Sequence, residues 1–199
     1  MLNILLSGIG GQGTVLAAKI LAQAAQEKGW AVRTAETIGM AQRGGTVTSH
    51  VRMADKGEDV QSSLLVKGSA DLIVAFEPGE AARALPFLSP KGTIVTASTP
   101  VQPVTASLSG TPYRAADVLG NLEKSLEGTP ARLIVVNEAP ILAQIGTTRA
   151  LNTVLLAAAL GTRCLPLTID DLREAIRVCV KPRFVDLNLN AIDVALARR

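Results

Sequence analysis

Cysteine, histidine and aromatic side chains are scarce in this chain: its 199 residues hold two Cys, one His and an aromatic share of 3%. Neither Cys164 nor Cys179 belongs to a C-x-x-C pair. The chain by itself therefore supplies neither a four-cysteine iron–sulfur cluster nor a conventional zinc site. Both thiols are expected in the core of a protein kept in a reducing cytosol. Charge of one sign is lacking too. The net charge is +3, and apart from the terminal Arg198-Arg199 the basic residues are scattered among acids. Without clustering or stacking aromatics, a nucleic-acid partner is excluded as an expectation. No apolar run approaches the roughly 20 residues of a membrane span. No basic segment precedes the first apolar stretch, as a secretory leader would require. The expectation is a cytoplasmic protein that avoids membranes.

What is present is an apolar core of small and branched side chains. Hydrophobic residues make up 48% of the sequence and charged residues 19%. Nothing divides the chain, so residues 1–199 are taken as one domain. Asn3-Ile4-Leu5-Leu6-Ser7 reads as a strand that stops at Gly8-Ile9-Gly10-Gly11-Gln12-Gly13, and an amphipathic helix from about Gly13 to Lys28 follows. Glycines 8, 10 and 13 have the G-x-G-x-x-G spacing, which combines a tight turn, close ligand approach and close helix packing. The unpaired N–H groups at such a helix start attract anions. Glycines that merely close a strand-to-helix turn give the same spacing, and both readings stand.

Strands and helices then alternate. Trp30 to Glu36 reads as a second strand, with Glu36 near the place of a dinucleotide fold's ribose-binding acid, 23 residues after Gly13. The loop Gly39-Met40-Ala41-Gln42-Arg43-Gly44-Gly45 replaces the expected crossover helix. Thr46 to Met53 is an alternating strand, and Asp55-Lys56-Gly57 a turn that folds the chain back as a hairpin. Strands are predicted at Leu72 to Phe76, Thr93 to Ala97 and Arg132 to Val136, with Pro90-Lys91-Gly92 as a turn. Helices are predicted from Pro78 to Phe87 and from Ala115 to Leu126, and a buried one from Thr147 to Leu160, apolar beyond Asn152. Thr168-Ile169-Asp170-Asp171 has capping-box spacing before another helix, and a last helix follows Pro182. The predicted fold is α/β, a Rossmann-like three-layer sandwich with a mostly parallel, mixed sheet and a helical C-terminal third.

Ser7, Glu36, Glu77, Ser98 and Asn137-Glu138 each fall at the carboxyl end of a predicted strand, the edge where open α/β sheets bind ligands. Polar loops and helix starts account for the same pattern. The sequence contains no nucleophile elbow, and a lone His50 on an alternating strand is expected to be a hydrogen-bonded structural residue. Arg43 is the best residue to grip an anion, against the alternative of a solvated loop arginine.

Three motifs in this order, the glycine turn from Gly8 to Gly13, the Gly39 to Gly45 loop followed by Ser49-His50-Val51-Arg52, and Ala70-Asp71-Leu72-Ile73-Val74-Ala75-Phe76-Glu77, resemble the gamma-type domain of 2-oxoacid:ferredoxin oxidoreductases. The resemblance covers almost the whole chain. Within that family the Met-Ala-Gln-Arg-Gly-Gly loop is most similar to the beta subunit of indolepyruvate members; the pyruvate and 2-oxoglutarate relatives share the pattern. The resemblance implies oxidative decarboxylation of a 2-oxoacid to acyl-CoA with ferredoxin as acceptor. Thiamine diphosphate and iron–sulfur clusters would sit in a larger partner subunit, through which ferredoxin is reduced. This chain would complete the active site without catalytic residues or metal of its own. It would be inactive alone. Gly8, Gly10, Gly11, Gln12, Gly13, Glu36, Arg43 and Gly44 are its candidate contacts to coenzyme A or another anion. The rival is a free-standing NAD- or FAD-binding redox protein, favoured by the intact glycine spacing with Glu36 and disfavoured by the missing crossover helix.

Overall fold

The computed structural model describes residues 1–39, 45–55, 57–102 and 113–198. Arg43 and Gly44, both named above as candidate contacts, lie outside the described residues, as do residues 40–42, 56, 103–112 and 199. The strands are β1 (Leu2–Ile9), β2 (Ala31–Ile38), β3 (Thr46–Ala54), β4 (Ala70–Ala75), β5 (Leu88–Ala97) and β6 (Arg132–Val136). Among the described residues the α-helices are α1 (Thr14–Glu27), α2 (Pro78–Ala84), α3 (Ala115–Leu126), α4 (Glu138–Ile145), α5 (Leu151–Gly161), α6 (Ile169–Cys179) and α7 (Val185–Ala197).

The sheet order is β2-β3-β1-β4-β5-β6. From β1 through β6 the neighbours are parallel, whereas β3 runs antiparallel to both β1 and β2. The mixed sheet expected from the missing crossover helix is therefore present, and its cause is local. Parallel strands need a long crossover, but only Gly39 to Gly45 separates β2 from β3, so they fold as a hairpin. Gly39 N–H closes it on Thr46 O at 2.9 Å. The predicted hairpin at Asp55 to Gly57 is corrected: among the described residues between Ala54 and Ala70 there is no strand, and the next strand, β4, pairs parallel to β1.

Alternation along each strand divides the core. Ile4, Leu6, Val51, Met53, Leu72, Val74 and Val95 face the layer of α1, α5, α6 and α7. Leu5, Ile73 and Ile94 face the smaller layer of α2 and α3. Period-2 strands that are apolar on both faces suit a sheet covered on both sides. The helix predicted at Thr147 to Leu160 is a 3₁₀ turn, Thr148–Ala150, leading into α5, which is buried on most sides. Thr168 and Asp171 form the reciprocal capping box at the start of α6: Asp171 N–H donates to Thr168 Oγ1 at 3.1 Å, and Thr168 N–H to Asp171 Oδ2 at 2.7 Å.

Pro90-Lys91-Gly92 is not a turn but part of β5, where the register against β4 shifts between Ala70 and Leu72. Glycine inside a strand marks such a bulge, and here the backbone approach requires it. A Cβ on Gly92 would lie 2.6 Å from Ala70 O and 2.6 Å from Leu88 Cδ1. Gly92→Ala is expected to cost roughly 1–3 kcal/mol through overpacking. Gly120→Ala, in α3 with open space around the added carbon, is expected to stabilise by up to about 1 kcal/mol. Urea unfolding of both variants checks the pair. Equal midpoints would remove the steric account of Gly92.

Candidate binding site at the carboxyl ends of the strands

β1 delivers the chain into the glycine turn, and α1 leaves it. Gly11 and Gly13 hold the left-handed region, with φ of 100° and 85°, which side chains with a Cβ adopt at a cost. The four motif glycines do different work. Gly8 is packed shut, since a Cβ there would meet Thr14 Oγ1 at 2.7 Å and Phe76 Cβ at 3.0 Å. Gly13 is pressed by α5, whose Asn152 Nδ2 would be 3.1 Å from a Cβ. Gly10 and Gly11 are open, the nearest atom to a Gly10 Cβ being Gly45 O at 3.8 Å and none lying within 4 Å at Gly11. Gln12 is a strut. Its Oε1 accepts from Ile9 N–H at 2.7 Å and its Nε2 donates to Phe76 O at 3.2 Å, tying the turn to the end of β4.

α1 begins without a side-chain cap hydrogen bond and without an acid in its first turn. Its first-turn N–H groups thus present positive charge that nothing on the helix itself offsets. Gly10 N–H, by contrast, is committed to Gly45 O at 3.0 Å, which holds the end of the β2–β3 hairpin against the turn. A cleft of about 790 Å³ opens beside this point, lined by Gln12, Phe76, Thr99, Val101, Leu142 and Thr148 among others. Among the described residues its lining contains no Lys or Arg and one acid, Glu138. An anion at this edge would be left to uncharged donors, the backbone N–H groups of the α1 start and neutral side chains such as Gln12 and Thr148.

Of the polar strand ends, Ser98 and Glu138 satisfy each other, while Ser7 and Glu77 find partners in Glu80 and Tyr113. Glu77 caps α2 by accepting Glu80 N–H at 2.7 Å and takes the Tyr113 hydroxyl at 2.8 Å. Burial, that hydrogen bond and the Glu77 charge raise the Tyr113 pKa far above its usual value. Glu80 is fully buried and accepts Ser7 Oγ at 2.8 Å and Thr46 Oγ1 at 3.0 Å, with Arg83 as its ion-pair partner. This carboxylate clamps the ends of β1 and β3 together under α2. Glu138 accepts Ser98 N–H, Ser98 Oγ and Thr99 N–H at 2.8–3.0 Å. Burial alone would raise its carboxyl, but the hydrogen bonds from Thr99 and Ser98 outweigh it and hold the pKa below the usual value.

Glu36 is placed away from the turn. It lies exposed on edge strand β2, in register with Ser49, and β3 separates it from β1. A dinucleotide fold sets its ribose-binding acid on the strand beside the glycine turn; here it stands two strand spacings away, roughly 10 Å. The Gly8 to Gly13 turn and the start of α1 are brought together, and Glu36 is not part of that group. Phe76, Thr99, Thr148 and Asn152 join the turn without having been singled out as ligands. Asn152 carried a signal, the polar residue that opens an apolar run. Glu80 carried none, because an acid in a first helical turn looks like solvated surface.

His50 has the structural role expected of it. Its Nδ1 accepts Leu65 N–H at 3.2 Å and its ring meets Phe87 edge-on at 6.0 Å. Burial lowers its pKa below 6.5. The folded state therefore prefers neutral imidazole while the unfolded chain takes up a proton first, so stability falls as pH drops through about 6.5. A second loss, from Glu138 and Asp171 with their lowered carboxyl pKa values, sets in below the ordinary carboxylate range. His50→Asn keeps an acceptor for Leu65 N–H without a titrating ring. The melting temperature of this variant should be flat between about pH 7 and 5, where the wild type declines. Identical slopes would relieve His50 of that role.

The fold is a Rossmann-like three-layer α/β sandwich, altered by the inserted antiparallel strand and bearing an open glycine turn at the carboxyl edge of its sheet. Residues 3–198 match the model of the pyruvate ferredoxin/flavodoxin oxidoreductase family. The chain belongs to that family. It is 38% identical over 192 residues, 96% of this chain and 92% of the relative, to the indolepyruvate oxidoreductase subunit IorB of Archaeoglobus fulgidus. The crystal structure of a keto/oxoacid ferredoxin oxidoreductase gamma subunit from Geobacter sulfurreducens superposes with a TM-score of 0.70 at 21% identity, covering 100% of this chain and 98% of that one. The 2-oxoglutarate:ferredoxin oxidoreductase of Magnetococcus marinus, solved with 2-oxoglutarate, coenzyme A and succinyl-CoA bound, gives a TM-score of 0.71 at 19% identity. It matches 98% of this chain to 30% of its own. Among the described residues no helix is long and apolar enough to cross a membrane.

Proposed function

We propose that the chain is the small subunit of a 2-oxoacid ferredoxin oxidoreductase acting on indolepyruvate or a related aryl pyruvate. The observation that carries this is the near full-length match, in both directions, to an indolepyruvate oxidoreductase subunit. A larger partner holds thiamine diphosphate and the iron–sulfur clusters and passes electrons to ferredoxin. The described residues do not fit those groups. They offer no set of three His, Cys, Asp or Glu side chains placed to hold a metal, and burial raises both thiols, Cys164 ahead of α6 and Cys179 at its end.

The open glycine turn supports coenzyme A as the ligand held by this chain. Its phosphates would meet the uncapped start of α1 across open Gly10 and Gly11, with Arg43 and Gly44 completing the contact, and its less polar arm would lie in the neighbouring cleft. The chain's own work is to hold that co-substrate and wall off water. The dinucleotide alternative loses its main support with Glu36 on an edge strand.

Reconstitution tests the assignment. The isolated chain should reduce neither ferredoxin nor a viologen dye with any 2-oxoacid and should bind no thiamine diphosphate. Mixed with the large subunit it should restore coenzyme A-dependent oxidation of indolepyruvate. Turnover by the lone chain, or a bound dinucleotide in place of a partner, would overturn it.

A further inference from the structure

A second, smaller pocket of about 290 Å³ lies between the starts of α1, α5 and α7 and the end of α6, sharing Thr147 with the large cleft. Its walls are apolar where Leu16, Val180, Phe184 and Leu187 meet. None of its lining residues is acidic. Its polar side chains divide into committed and uncommitted groups. Asn188 is committed: its Oδ1 accepts Thr153 Oγ1 at 2.6 Å and its Nδ2 donates to Phe184 O at 2.7 Å.

Asn152 is not. It is 3% exposed, and its Oδ1 accepts Thr153 N–H at 2.9 Å. That bond fixes which way the amide faces, because an NH₂ group could not accept it. The Nδ2 donors are therefore directed away from the α5 backbone and have no acceptor among the described residues. Among the described residues the sealed, partnerless polar atoms are Thr14 Oγ1 and Ser49 Oγ; Asn152 Nδ2 is not among them, so it keeps some accessible surface, in a residue that lines this pocket and whose amide stands beside Gly13, 3.1 Å from where a Cβ there would be. A buried amide donor left unmade is costly, which makes an acceptor at this point favourable. Arg149 lines the same pocket, and its guanidinium has no acidic partner among the described residues. Arg183, stacked 4.7 Å above the Phe184 ring centroid, adds a further positive charge nearby.

We propose that this pocket binds a small monocarboxylate bearing one aromatic or branched aliphatic group. The carboxylate sits against Asn152 Nδ2 and the Arg149 guanidinium, and the apolar group against Leu16, Val180, Phe184 and Leu187. Size favours a ligand of this class, since the pocket lies at the small end of ligand sites, roughly 300–1,000 Å³. An oxyanion alone would leave the apolar walls unused, and a hydrocarbon alone would leave both donors unpaired. The inference stands on the pocket's own geometry and is independent of the oxidoreductase assignment.

Titration calorimetry and methyl NMR on the 199-residue chain test it with three probes. Phenylacetate carries both features, phenylacetamide keeps the ring without the charge, and acetate keeps the charge without the ring. Phenylacetate should bind saturably at millimolar concentration and shift the Leu16, Val180 and Leu187 methyls, with each control at least tenfold weaker. Arg149→Gln, at an exposed position, should weaken phenylacetate at least tenfold, as should Asn152→Ala. Should buried Asn152→Ala fail to fold, Arg149→Gln decides alone. Acetate as tight as phenylacetate would reduce the site to a general anion contact. Phenylacetamide as tight would make it a greasy cavity. Unchanged affinity in the variants, or no saturable binding at all, would overturn the assignment outright.

Discussion

Gly10→Val should leave the isolated chain folded yet weaken coenzyme A binding to the assembled enzyme at least a hundredfold. The first half follows from space. Gly10 is not among the glycines at positive φ, and the nearest atom to an added Cβ is Gly45 O at 3.8 Å, an ordinary contact. The second half follows from what that open face is for. Under the proposal, a phosphate reaches the first-turn donors of α1 by passing over Gly10 and Gly11, and a branched side chain fills the approach. A hundredfold loss is about 2.7 kcal/mol, the scale of one or two hydrogen bonds to a charged group. Gly13→Val supplies the contrast. Its φ of 85° and the Asn152 amide 3.1 Å from an added Cβ predict a drop in melting temperature whether or not any ligand binds. The readouts are thermal unfolding of each lone variant and KM for coenzyme A and for the 2-oxoacid in the complex. An unchanged KM for coenzyme A in Gly10→Val would remove the phosphate from the turn, and a fall in 2-oxoacid affinity alone would move the site elsewhere.

Periodicity and punctuation made most of the fold readable. Alternating apolar runs placed all six strands near their observed positions, and Thr168 with Asp171 announced the capping box that forms at α6. Two misplacements, both at glycines, have causes that lie outside the local pattern. Gly92 looked like a turn because nothing local shows Ala70 O pressing on its Cα, and Asp55 to Gly57 looked like a hairpin because the true hairpin had already been closed at Gly39 and Thr46. The site was legible in its first half. The glycine spacing told of an open backbone beside a helix start, which is what Gly10, Gly11 and α1 present. It could not tell that Gly10 N–H would be taken by Gly45, that Glu80 would join Ser7 to Thr46, or that Asn152 would stand against Gly13. Each of those contacts joins residues dozens of positions apart. Local pattern carries the elements, and tertiary contact decides which polar groups remain free to bind.

Arg43→Ala should leave the melting temperature of the lone chain nearly unchanged and lower turnover or assembly of the complex at least tenfold. The case rests on sequence and on the two described residues nearest to it. Arg43 belongs to the segment that links β2 to β3, and two residues on the Gly45 carbonyl accepts Gly10 N–H at 3.0 Å. The chain two residues beyond Arg43 is thus anchored beside the glycine turn. Glu80 holds the same end of β3 through Thr46 Oγ1 at 3.0 Å. Under the proposal, the Arg43 guanidinium pairs with an anion at the turn, or with an acidic group of the large subunit, once docking excludes water. Solvated, such an arginine contributes at most about 1 kcal/mol; paired in a desolvated interface, its removal costs on the order of 2–5 kcal/mol. A tenfold effect corresponds to about 1.4 kcal/mol, which lies between the two ranges and separates them. Arg43→Lys sharpens the outcome, because Lys keeps the charge but loses the planar fork that grips a phosphate or carboxylate in two places. Partial rescue by Lys points to long-range attraction, and failure to rescue points to bidentate contact. The measurements are subunit affinity by calorimetry and kcat and KM of the reconstituted enzyme. Wild-type values in the Arg43→Ala complex would make this arginine ordinary surface and leave the backbone of α1 to hold the anion alone.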